Sequence, residues 1–201
     1  MKRNMMIVAI MSGFMIMTFV AFESQAMAAG NELVIADFNT GEKPNNIGGD
    51  FGSWDKDPED DTQGTKLKFE SDDALGAATG YSIRLDYEVD SPNPAYNGFW
   101  MKLRGADAAP YNTLTFYMRG DKEAGYAKRV KIELKDKSNK PSAYVVGNIT
   151  DQWQKVSIPF DRFRRIQDWT SLNEFVLVFD DMNSNPKTGA IYIDQIALSK
   201  E

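Results

Sequence analysis

From residue 81 onward, apolar and polar residues alternate with a period of two in one short run after another. Tyr81–Val89 sets Ile83, Leu85 and Tyr87 against Arg84, Asp86 and Glu88. Gly98–Arg104 sets Phe99, Met101 and Leu103 against Trp100, Lys102 and Arg104. Thr113–Arg119 sets Leu114, Phe116 and Met118 against Thr115, Tyr117 and Arg119, and Arg129–Lys135 sets Val130, Ile132 and Leu134 against four charged residues. Successive side chains of a strand point to opposite faces, so each run predicts a strand with one buried and one wetted face. Leu33–Phe38, Lys66–Glu70, Ala143–Asn148, Lys155–Phe160, Glu174–Asp180 and Ala190–Leu198 bring the total to about ten strands, separated by Gly, Pro, Asn and Asp turns. That pattern predicts an all-β, antiparallel sandwich or barrel. Asn39–Thr65, with five Gly, two Pro and the acidic run Asp55–Asp61, predicts one long irregular segment. Only Phe160–Leu172 has room for a helical turn, anchored by Trp169. Trp153 and Trp169 are expected in the core or at a structural corner.

The first 28 residues follow a different rule. Lys2 and Arg3 precede an apolar run, Met5–Phe22, and a polar break leads into Ala26-Met27-Ala28. This is the layout of a secretory signal peptide cleaved after residue 28, leaving residues 29–201 as a single domain with no membrane span. The alternative is an uncleaved anchor, since the apolar run is near the lower limit for crossing a bilayer. The expected location is secreted or periplasmic. Cleavage removes seven of the ten methionines and leaves 21 basic against 28 acidic residues, a net charge near −7.

That balance argues against a nucleic-acid partner, which needs clustered Lys and Arg. The chain has no Cys and no His. Disulfide scaffolds, lipoprotein anchoring, Ser-His and Cys-His nucleophiles and His-ligated zinc are therefore all excluded. Paired-carboxylate glycoside hydrolysis needs no His, but no pair of carboxylates stands out, so the chain reads as non-catalytic.

Glycans are recognised by aromatic faces and a few polar groups in a shallow cleft. Trp100, Tyr117 and Arg119 fall on wetted faces of neighbouring strands in sequence, with Lys102, Arg104, Arg84, Asp86 and Glu88 beside them. If those strands are neighbours in space, they form a carbohydrate platform, with Trp54 and Tyr144 at its border. The competing expectation for the wetted faces is ordinary solvated surface.

Four segments carry a family resemblance: Ala36-Asp37-Phe38-Asn39; Asn46-Ile-Gly-Gly49 followed by Trp54; Tyr96-Asn-Gly-Phe99 with Tyr111–Phe116 and Arg119-Gly120; and Trp153–Phe160 with Gly189-Ala-Ile-Tyr-Ile-Asp-Gln-Ile196. They resemble galactose-binding-like jelly rolls, specifically family-eleven carbohydrate-binding modules and complex I intermediate-associated proteins. The resemblance implies an exported, non-catalytic carbohydrate-binding module whose partner is a poly- or oligosaccharide. Its second implication is a protein-interaction or envelope-assembly module with an envelope protein partner. It also implies a structural calcium between the first and last strands, where Asp37 and Asp194 occupy the matching positions and Asn39 could add a carbonyl.

Overall fold

The computed structural model describes residues 30–71, 75 and 80–201. The expected signal segment lies outside them. Eleven strands form two antiparallel sheets packed face to face. The first sheet runs β3 (Gly64–Glu70), β4 (Ser82–Glu88), β11 (Thr188–Ser199), β6 (Thr113–Gly120) and β9 (Gln154–Pro159), with β1 (Glu32–Ala36) paired along the end of β11. The second runs β2 (Phe51–Asp55), β5 (Tyr96–Ala106), β10 (Leu172–Asp180), β7 (Val130–Asp136) and β8 (Pro141–Val146).

The period-two runs behave as their pattern demands. Phe99, Met101 and Leu103 of β5 and Ile132 and Leu134 of β7 are fully buried, as are Leu114, Phe116 and Met118 of β6. Aromatic rings join the two sheets across this core. Phe175 of β10 meets Phe116 of β6 edge to face at 6.0 Å, and Phe179 stacks on Tyr87 of β4 at 4.1 Å. Such pairs add to the area they bury.

Connections repeatedly cross the sandwich: β4 lies in the first sheet, β5 in the second, β6 in the first, β7 and β8 in the second. Alternation cannot show this, because it separates inner from outer side chains without saying which sheet carries them. The expected long irregular segment is shorter than anticipated. It contains β2, a five-residue strand whose pattern is broken by Gly52, and it ends where β3 begins at Gly64. The turn expected after residue 160 is a single 3-10 turn, Phe160–Arg162, with Trp169 stacked on Phe160 at 4.0 Å. Trp153 lies outside the core, half-buried against the outer face of the first sheet beside Tyr192. The first and last strands lie side by side, with Glu32 opposite Ser199 and the Lys200 N–H donating to the Asn31 carbonyl at 2.9 Å.

Candidate functional site

The outer face of the second sheet carries a cleft of about 390 Å³, and strand register builds it as rows across the strands. In one row Lys102, Glu174 and Lys135 lie side by side. The next row runs Gly52, Trp100, Val176, Glu133 and Ala143 from β2 to β8. The third runs Trp54, Gly98, Val178, Lys131 and Val145. Tyr96, opposite Asp180, closes that end.

Small residues make the rows possible. A Cβ on Gly52 would lie 3.3 Å from the Trp100 indole nitrogen, so the glycine lets that ring lie across β2. A Cβ on Gly98 would stand 2.0 Å from the Leu177 carbonyl oxygen, an overlap no side chain tolerates. Val176 and Val178 are 4% and 3% exposed, and they form an apolar floor flanked by Trp100, Trp54 and Tyr96. Trp54 and Tyr96 meet edge to face at 6.0 Å. The Lys102 ammonium sits 5.5 Å from the Trp100 ring centre, and the Trp100 N–H donates to the Ser53 carbonyl at 3.3 Å.

The floor is apolar and the walls are charged. Glu174 is held between Lys102 and Lys135, with Lys135 Nζ 2.6 Å from its carboxylate. Burial alone would raise its carboxyl, but the two ammonium groups outweigh burial and hold it below its ordinary value. Lys131 reaches Asp180 at 3.4 Å and Glu133 at 3.7 Å. An apolar strip edged by alternating ammonium and carboxylate groups suits a sugar ring, whose C–H faces pack on aromatics while its hydroxyls reach fixed donors and acceptors.

Comparison with known families bears on this cleft. The model of Carbohydrate binding domain 30 matches residues 43–200, which covers every strand of the second sheet. The chain belongs to the Carbohydrate binding domain 30 family. Among solved structures it is similar to the family 11 carbohydrate-binding module of the cellulosomal cellulase Lic26A-Cel5E of Clostridium thermocellum. Identity there is 18% and the TM-score 0.58, over 87% of this chain and 97% of that one. A second structure of a Clostridium thermocellum family 11 module, in complex with a beta-1,3-1,4-mixed-linked tetrasaccharide, gives the same identity and score over 86% and 98%. An exo-beta-agarase aligns at 10% identity and TM-score 0.62, over 84% of this chain and 25% of that one. These likenesses bear out the jelly-roll fold. No curated protein matches the sequence. Membership of a family of carbohydrate-binding domains supports a non-catalytic, carbohydrate-binding role.

The domain brings together some of the residues expected at a platform and separates others. Trp54 and Trp100 share the cleft. Tyr117 and Arg119 lie on β6, in the other sheet, so the single platform expected from sequence is divided between two outer faces. Tyr144 pairs with the buried Ile132 and so points to the interior side of edge strand β8, away from Trp100. Arg119 instead stacks on Tyr192 at 3.7 Å and approaches Trp153 at 5.7 Å. Beside it Arg84 is gripped by Asp121, by Asp86 at 2.8 Å and by the Tyr192 hydroxyl at 2.6 Å. Burial pushes the Asp121 carboxyl up, but the Ala124 N–H, Arg84 and Tyr192 together hold it at about 2. These side chains grip one another on the outer face of the first sheet, away from Trp100. Tyr96, Lys131, Glu133, Lys135 and Glu174 were not expected at the cleft. One signal for it exists in the sequence: the unbroken apolar run Phe175–Phe179, which gives β10 two apolar faces.

Asp37 lies near enough to Asp194 for its charge to act on that carboxyl. Asp194 is 1% exposed and accepts the Leu75 N–H at 3.0 Å and the Gln195 N–H at 2.7 Å. Burial raises its carboxyl to about 6, the two N–H donors work against that, and the nearby Asp37 charge adds to the rise. Asp37 is tied to Asn46 by two hydrogen bonds of 2.9 Å. Among the described residues no three acidic side chains gather as a metal cluster. The acidic run near residue 60 closes on itself, with Asp60 accepting from Thr62, Gln63, Ser91 and Asn93.

Proposed function

We propose that this chain is an exported, non-catalytic domain that holds a polysaccharide across the outer face of its second sheet. The observation that carries this reading is the Trp100 indole laid over Gly52, beside the apolar floor of Val176 and Val178 and between Lys102 and Glu133. The chain lies along the rows, its ring faces on Trp100 and Trp54 and its hydroxyls toward Lys131, Glu133, Lys135 and Glu174. Nothing in this arrangement activates a nucleophile, and retention of the glycan is its chemistry. Support for the ligand class comes from the family and from the mixed-linked tetrasaccharide bound by a module of the same fold. Affinity electrophoresis of the purified protein in gels containing mixed-linked β-glucan, xylan or other polysaccharides tests the reading. Retardation by at least one polymer, abolished in Trp100→Ala, is expected. No retardation by any of them, with the protein folded, would shift the assignment to a protein-interaction module.

Calcium belongs to this proposal. Two neighbouring carboxylates, one of them buried and raised chiefly by that burial, suit a hard cation that takes oxygen ligands. Asp37 and Asp194 would hold it, with backbone carbonyls completing the shell. There it would neutralise both carboxylates and tie the end of β1 to β11. Export rests on residues 1–28, whose positive start, apolar run and Ala26-Met27-Ala28 site support cleavage before Ala29.

A further inference from the structure

The cleft does not end at β7. Lys131 and Glu133, which line it, also line a second hollow of about 350 Å³ bounded by Pro141, Ala143, Arg162, Arg164 and Arg165. The two hollows thus adjoin across β7, sharing these two side chains. They differ in charge. The second holds four basic side chains and one acid, on a chain whose net charge is −6. Glu133 is already approached by Lys131 at 3.7 Å. Among the described residues no carboxylate pairs with Arg164 or Arg165, and Arg162 reaches only its exposed neighbour Asp161, at 3.7 Å.

The local backbone fixes where these arginines start. Phe163 and Ile166 turn inward to 1% and 8% exposure, so Arg162, Arg164 and Arg165 between and beside them face solvent. The Arg165 N–H donates to Ser142 Oγ of β8 at 3.0 Å. The next two free N–H groups, of Gln167 and Asp168, donate to the buried Asp136 carboxylate at 2.9 and 3.2 Å. The loop is therefore clamped against the edge of the second sheet. From β2 to β8 is four strand spacings, about 19 Å. A glycan stacked on Trp100 and running along the rows reaches the arginines without bending away from the sheet. Guanidinium groups match carboxylates in planar, two-pronged geometry, better than a lysine ammonium does.

We propose that the cleft takes an acidic glycan, a polysaccharide bearing uronate carboxylates, and that Arg162, Arg164 and Arg165 form the subsite that reads them. This rests on the polysaccharide-binding reading above. It is tested by isothermal titration of the purified protein with polygalacturonate, glucuronoxylan and alginate, each beside its carboxyl-reduced form, and with neutral mixed-linked β-glucan. At least one uronate polymer should bind about tenfold more tightly than its reduced form, and that preference should shrink as salt is raised. The double variant Arg164→Gln/Arg165→Gln should lose the preference while keeping the wild-type Tm and the affinity for the reduced polymer. Carboxylates that make no difference in any of the three pairs overturn the proposal, and that comparison needs no variant. A double variant that keeps the full preference overturns the role of the arginines. Neutral glucan bound with no effect of carboxylates leaves the polysaccharide reading standing alone, whereas a folded protein that binds no polymer removes both.

Discussion

In the proposed binding cleft, Trp100 is the central aromatic. Its ring rests on Gly52 and faces the cleft rather than the core, so removing it subtracts contact area from the ligand and little from the fold. Trp100→Ala should weaken polysaccharide binding by roughly thirtyfold or more, the loss typical of a central aromatic anchor, with Tm nearly unchanged. Gly98 predicts the opposite division. A Cβ there collides with the Leu177 carbonyl, so Gly98→Ala should cost about 2–3 kcal/mol in denaturant unfolding and also distort the floor beneath Trp54. At this scale the sequence was partly legible. Trp100 stood out as an aromatic on a wetted strand position and Trp54 as a loop aromatic at the border, and the two share the cleft. Tyr117 was equally conspicuous on the same ground, yet it lies on the other sheet. Side-chain chemistry told these residues from core residues but could not tell one outer face from the other.

Among elements, the loop after β9 and the edge of β8 depend on one carboxylate. Asp136 is 1% exposed and accepts N–H groups from Ser138, Gln167 and Asp168. The Ser138 side chain and then the Gln167 N–H hold its carboxyl at about 2. Because the folded value lies below the unfolded one, the stabilisation is present above the ordinary carboxylate range near pH 4 and is lost as pH falls toward 2. Asp136→Ala should cost about 2–3 kcal/mol by leaving buried N–H groups unpaired, and hydrogen exchange should speed up at Gln167 and Asp168 first. Strand existence was readable wherever period two was clean, as in β4 through β7. It was unreadable in β2, where Gly52 interrupts five residues, and hard to interpret in β10. The run Phe175–Phe179 reads as a strand buried on both faces, whereas Val176 and Val178 are the floor of the cleft.

For the whole molecule, the junction of β1 with β11 carries a dependence on pH, and the proposed calcium would add one on metal. The Asp194 carboxyl is raised to about 6 in the fold, so its favourable contribution is complete below about pH 4 and disappears as pH rises through 6. Chelated protein should therefore lose up to about 3 kcal/mol from this group between pH 4 and 7. Calcium at about 100 times its Kd should restore roughly 2.7 kcal/mol near neutral pH. Asp194→Asn should abolish both effects. Thermal unfolding in calcium and in chelator at pH 4.5 and 7.5 checks this, and identical curves at pH 7.5 would remove the metal from the proposal. Sequencing the N-terminus of protein recovered from the culture medium or periplasm should give Ala29 first. The sandwich itself was legible at this scale because most strands, β4 through β7 above all, obeyed the same alternation. The partition of strands between sheets was not, because it is set by long-range pairing that no local window contains.

The pairing of the first strand with the last has a practical side. Glu32 and Ser199 are cross-strand neighbours in the first sheet, and the cleft opens on the far side of the second. A fluorescent protein, an affinity tag or an enzyme joined after Glu201 would hang from the first sheet, away from the cleft. The domain can thus be immobilised or fused through its C-terminus with the proposed binding face turned outward.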